Sequence, residues 1–228
     1  MDEVKRPAPG LLRPRSVWLM LVVAAVAGAV LVAPYLFGMD ASRTPPRSDL
    51  HYALLVTHIG TAFLALVLGP LQFIPAVRAH RRVHRTIGRT YLIAGVLPSG
   101  LAGIPVAVLA HSPVTRVGLL IPAVAWLVTG GLALRAARRR DFANHRAWMM
   151  RNYALTFLAV TSRVVAPLLL LAQLPVLDSW YGGSVDAAIA ATVPIGQWLG
   201  WIVNLAVVEI LIRRRPVAMS KASPPVSR

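Results

Sequence analysis

The chain has no cysteine among its 228 residues. Disulfides, iron–sulfur ligation, covalent c-type haem attachment and thiolate chemistry are therefore excluded. Acidic residues are scarce, eight against twenty-four basic ones, and only Lys5 and Lys221 of the basic set are lysine. Charged residues make up 14% of the sequence, well below the ~25% of an ordinary soluble domain. No nucleophile elbow, zincin motif, phosphate loop or paired-carboxylate arrangement is present, and Pro98-Ser99-Gly100 does not satisfy the nucleophile pattern. Hydrolytic chemistry thus has no motif to carry it.

What fills the sequence instead is apolar: 57% of residues are hydrophobic. They fall in blocks long enough to cross a hydrocarbon core of ~30 Å at about 1.5 Å per residue. The expectation is an all-α, polytopic transmembrane helical bundle with six spans. These run from about Val17 to Met39, Tyr52 to Val77, Ile87 to Ala110, Val114 to Ala136, Ala147 to Ala172 and Ile189 to Ile212. Residues 17–212 are the membrane domain, and residues 1–16 and 213–228 are expected as disordered basic tails. The first apolar block exceeds the ~7–15 residues of a signal-peptide core, so a retained anchor is expected.

The net charge of +16 would suggest nucleic acid in a soluble protein. Here the arginines sit in short loops and tails beside apolar spans, where they set topology and meet anionic headgroups. Twenty Lys/Arg fall in the N-tail, the 78–89 loop, the 135–151 stretch and the C-tail, against Arg43, Arg47 and Arg116 in the opposite loops. That asymmetry predicts both termini in the cytosol, N-in/C-in. The arginine bias fits a GC-rich bacterial genome and an inner-membrane location. The expected partners are the bilayer, its anionic phospholipid headgroups and a membrane redox or assembly partner, not nucleic acid.

Several spans are interrupted, by Gly69-Pro70, Pro75, Pro98, Pro105, Pro122 and Pro167. Proline frees backbone carbonyls that neighbouring helices must satisfy, so kinks are expected. Gly95, Ser99, Gly103 and Ala107 recur every four residues, a spacing that lets helix backbones approach closely. Trp180, Tyr181, Trp198 and Trp201 are expected at the outer interface.

Two His-Arg boxes, His84-Arg85-Thr86-Ile87-Gly88-Arg89 and His145-Arg146-Ala147-Trp148-Met149-Met150-Arg151, stand where spans meet basic loops. Their arginines Arg85, Arg89, Arg146 and Arg151 are candidates for lipid phosphate. Their histidines share a depth, so His84 and His145 are candidate axial ligands of a b-type haem, with His58 and His111 as a second pair. On the fifth span His145, Asn152, Thr156 and Arg163 lie close to one face, which would place Arg163 in the interior, binding an acidic group such as a haem propionate or an anionic lipid, unless it caps carbonyls freed at a kink or snorkels outward. The second span carries a like face of His51, His58, Ala62, Ala65, Gly69 and Gln72. Glu209 matches the depth of Arg151, an economical ion pair. His80 and His84 have a metal-ligand spacing, but the surrounding arginines repel a cation, so no metal site is expected.

Residues His51 to about Pro167 resemble a bacterial family of predicted membrane proteins, domain of unknown function 2306. The resemblance is carried by His58 with Gly69-Pro70-Leu71-Gln72-Phe73, by His84-Arg85-x-x-Gly88-Arg89-x-Tyr91, and by His145-Arg146-x-Trp148-Met149-x-Arg151-x-Tyr153-Ala154-Leu155-Thr156-Phe157, ending at Arg163. It implies an integral membrane helical domain and supplies no activity. A looser topological likeness, through the His-x-x-x-Gly box, is to cytochrome b561-type and ferric-reductase-type bundles. The expected function is non-catalytic: a membrane, lipid-binding or assembly-partner protein. Two alternatives stand beside it, a haem-binding electron-transfer protein and a small anionic-solute transporter with Arg163 as counter-charge.

Overall fold

A backbone in hydrocarbon satisfies its own N–H and C=O groups only in a helix or a closed barrel, so long apolar runs fold as helices. A computed structural model describes residues 14–36, 48–110 and 112–214. They form helices, with no strand among the described residues. His111 and most of both expected tails lie outside them. In chain order the helices are α1 (Pro14–Leu36), α2 (Asp49–Leu71), α3 (Pro75–Ala79), α4 (Arg81–Thr90), α5 (Leu97–Val108), α6 (Pro113–Arg138), α7 (Phe142–Thr156), α8 (Leu158–Gln173), α9 (Leu177–Tyr181) and α10 (Val185–Arg213). Among the described residues six segments are long and apolar enough to cross a membrane: Arg15–Tyr35, Asp49–Leu71, Arg81–Val108, Pro113–Arg138, Leu158–Tyr181 and Val185–Arg213.

Neighbouring helices run antiparallel, in registers set by small residues. A Cβ added at Gly95 of the α4–α5 span would lie 2.9 Å from the Ala65 Cβ of α2, and one at Gly196 of α10 would lie 2.7 Å from that of Ala166 in α8. Close approach at such points gives the van der Waals packing that holds helices together in lipid. The core gathers Ala65, Tyr91, Val96, Trp126, Ala133, Met149, Tyr153 and Leu155. Trp201 packs on the core, and the Trp198 Nε1–H donates to the Val114 carbonyl at 3.1 Å.

The Gly69-Pro70 interruption of α2 has a tertiary counterpart. Pro70 has no N–H to give the Leu66 carbonyl four residues back. That carbonyl accepts instead from the Tyr153 hydroxyl of α7, at 3.0 Å. Gly69 leaves the room: a Cβ there would fall inside the Tyr153 ring.

Two spans depart from regular helix. Between α4 and α5, Tyr91–Val96 form a π-helical turn, and the Leu97 N–H reaches back to the Leu92 carbonyl. This wider turn directly precedes Pro98, where kinks of this kind are commonly absorbed. The fifth span, expected as one helix over 147–172, breaks at Phe157 between α7 and α8. The Ala154 carbonyl accepts from Asn204 Nδ2 of α10 at 3.0 Å, and Asn204 Oδ1 accepts from Thr161 at 2.9 Å. Asn204 thus bonds both sides of the break, while Pro167 sits inside α8.

Candidate functional site

The π-turn starts with Tyr91, and a fully buried tyrosine needs a partner for its hydroxyl. Tyr91 Oη donates to Asn152 Oδ1 at 2.6 Å and shares a bond with Thr156 Oγ1 at 2.8 Å. Trp126 Nε1–H donates to Thr156 Oγ1 at 2.9 Å. Asn152 Nδ2 donates to the Trp126 carbonyl at 2.7 Å and to Thr129 Oγ1 at 2.9 Å. Three helical segments are thereby joined at mid-bundle with every side-chain polar atom of Asn152 bonded. Such closed networks fix packing and offer nothing to a ligand.

Below it, at the arginine-rich end, the pattern inverts. Gln72 at the end of α2 is only 5% exposed, yet its Nε2 has no partner. Arg78 Nε in α3 and His84 Nδ1 in α4 are likewise buried and unbonded. Gly88, one turn after His84, admits the Gln72 amide: a Cβ there would meet Oε1 at 3.0 Å. The charges of His145 and Arg78 both act on His84, and that of Arg146 acts on Arg78, so α3, α4 and α7 converge here. Burial, and then the Arg146 charge, pull the Arg78 guanidinium below its ordinary pKa, although arginine stays charged at neutral pH. His145 Nδ1 lies 2.9 Å from the Ala133 carbonyl, so this nitrogen carries the hydrogen and Nε2 is the open one. Among the described residues the ion pairs are Arg151–Glu209 at 2.5 Å and Arg213–Glu209 at 4.0 Å; no carboxylate pairs with Arg78, Arg146, His84 or His145. This corner collects donors and positive charge without an anion.

The other sequence-derived candidates distribute as follows. Arg85, Arg89 and Arg146 are exposed on the rim of the corner. Arg151, expected at lipid phosphate, is held inward as a two-bond partner of Glu209, with its guanidinium 4.7 Å from the Trp148 ring centre. Arg163, expected in the interior, is exposed on α8 and bonds the Ala159 carbonyl of its own helix at 3.2 Å. The break at Phe157 is the reason: a face projected from His145 through five uniform turns does not continue past it. His58 lies against Ser99 of α5, not beside His84. Its ring lines a chamber of about 140 Å³, smaller than the ~300 Å³ lower range of ligand pockets, and its expected partner His111 lies outside the described residues. Arg78 carried no weight in the sequence beyond one more loop charge. Its signal lay in standing one short helix away from two apolar ends that must pack.

The profile of the predicted membrane protein family, domain of unknown function 2306, matches residues 55–212, more than half of the chain. The chain belongs to that family. The match takes in α10 as well as the motif-bearing core. Comparison with curated proteins and with solved structures gave no match.

Proposed function

We propose that this family member is a non-catalytic integral membrane protein that holds an anionic phosphate, that of a lipid headgroup, in the corner formed by Gln72, Arg78, His84 and His145. The observation that carries the reading is the set of three buried, unbonded polar atoms at one place: Gln72 Nε2, Arg78 Nε and His84 Nδ1. A buried polar group without a partner costs about 1–3 kcal/mol, more when charged, so such a set is stable only with an acceptor in reach. Phosphate oxygens are the fitting acceptor, because the surroundings are cationic and no carboxylate answers them. Arg85, Arg89 and Arg146 on the rim would meet neighbouring headgroups. The twenty-to-three Lys/Arg asymmetry supports placing this end at the cytosolic face of a bacterial inner membrane.

The test is lipid retention by the full chain in nanodiscs of mixed phosphatidylcholine and phosphatidylglycerol, read by native mass spectrometry. Wild-type protein should keep phosphatidylglycerol and the Arg78→Gln variant should lose it; equal retention overturns the reading. The b-haem alternative retains one favouring observation, the approach of His84 and His145. A Soret band that His145→Ala abolishes would establish it in place of the lipid. Arg163, bonded to its own helix and exposed, gives the transporter alternative no support.

A further inference from the structure

The chamber beside His58 is a second site, far along α2 from the basic corner and independent of it. His58 Nδ1 stands 2.8 Å from the Ser99 carbonyl oxygen. A carbonyl only accepts, so Nδ1 must carry the hydrogen. The Ser99 hydroxyl, 3.0 Å from the same nitrogen, gives its own proton to the His58 carbonyl at 2.9 Å and is a second acceptor for Nδ1–H. In the neutral ring Nε2 is therefore a bare lone pair, and among the described residues none bonds it. Gly103 lets the ring lie flat on α5, since a Cβ there would sit 2.7 Å from Nδ1.

Around this acceptor the walls are Ala62, Gly103, Pro122, Ala123, Trp126 and Ala159, with Thr156. Thr156 Oγ1 is already committed, to Asn152, Tyr91 and Trp126. One open polar atom is too few to hold water, which takes about 2–4 polar partners in a buried site. The volume, about 140 Å³, is that of cavities that accept a single benzene ring, roughly 150 Å³. α8 packs along α10 and only sparsely elsewhere, which leaves a way in from the hydrocarbon.

We infer that this chamber binds the hydroxylated ring of a membrane-soluble phenol or quinol, the ring hydroxyl donating to His58 Nε2. Thr156 couples the chamber wall to the closed Tyr91–Asn152 network, so the ring meets a rigid surface.

The experiment uses full-length protein in nanodiscs with ¹⁵N-labelled histidine, titrated with 4-methylphenol and, separately, toluene. The His58 Nε2 resonance is assigned from the spectrum of His58→Gln. The expected result is saturable movement of that resonance with 4-methylphenol only, with binding about tenfold tighter than toluene, the worth of one hydrogen bond. Ala62→Leu and Ala159→Leu, on opposite walls, should each abolish it while Tm without ligand is checked. Equal binding of the two probes, or no saturable movement in the wild type, overturns the inference. Retention of wild-type binding by both filled variants does so as well. None of these outcomes bears on lipid retention at Arg78.

Discussion

The middle of the bundle and its arginine-rich corner are built from similar polar residues and behave as opposites. At mid-bundle, Tyr91, Trp126, Thr129, Asn152 and Thr156 bond one another and the backbone, and no side-chain polar atom of Asn152 is left over. At the corner, Gln72, Arg78 and His84 bring three buried polar atoms together and bond none of them. The difference teaches how to separate architecture from function in a membrane protein. Hydrogen bonds closed within the protein specify the fold, and those left open specify what else must be present.

If that division holds, the largest effect on stability belongs to the middle. Asn152→Leu should remove the three bonds that Asn152 makes to Tyr91 Oη, the Trp126 carbonyl and Thr129 Oγ1 and crowd Gly130, costing roughly 2–4 kcal/mol at about 0.5–1.5 kcal/mol per hydrogen bond. A thermal melt in detergent should show the loss, and an unchanged Tm would erase the distinction. Arg78→Gln should do the reverse: weaken phosphatidylglycerol retention about ten- to a hundredfold, the worth of a charge-assisted bond, and leave Tm within error. Gly88→Val sharpens the comparison from the packing side. Its side chain would displace the Gln72 amide and cut lipid retention several-fold, with little change in the melt. Breaking the Arg151–Glu209 pair by Arg151→Gln should cost about 1 kcal/mol or less, since both groups are partly solvated, and should spare lipid binding.

The smallest effect concerns Asp141, which caps α7 beyond the membrane spans. Hydrogen bonds from the Asn144 side chain and N–H hold its carboxyl below the usual range. A depressed folded-state pKa adds stability above the unfolded value, lost as pH falls through the folded one. The Tm difference between wild type and Asp141→Ala should therefore be present at neutral pH and shrink as the pH falls below the ordinary aspartate range. A constant difference would show that the cap acts without its charge.

Much of the arrangement was legible in particular residues. The α2 face of Ala65, Gly69 and Gln72 and the α7 face of His145, Asn152 and Thr156 both turn inward, as their helical spacing predicts. The Arg151–Glu209 pair was readable from depth alone. Arg163 takes the outward, carbonyl-bonding alternative that the sequence also offered, and the helix break before it depends on Asn204, some fifty residues onward.

Hydropathy, charge asymmetry and small-residue spacing are sums over neighbours along the chain, and they determined six spans and their antiparallel order. Whether a polar atom is satisfied depends on pairs of residues from different helices. Only the tertiary structure decided that Tyr153 answers the carbonyl Pro70 leaves open, that Ser99 fixes which nitrogen of His58 is bare, and that Gln72, Arg78 and His84 are left waiting for a partner. In hydrocarbon no water stands in for a missing bond, so that pairing decides which polar residues build the protein and which ones face a ligand.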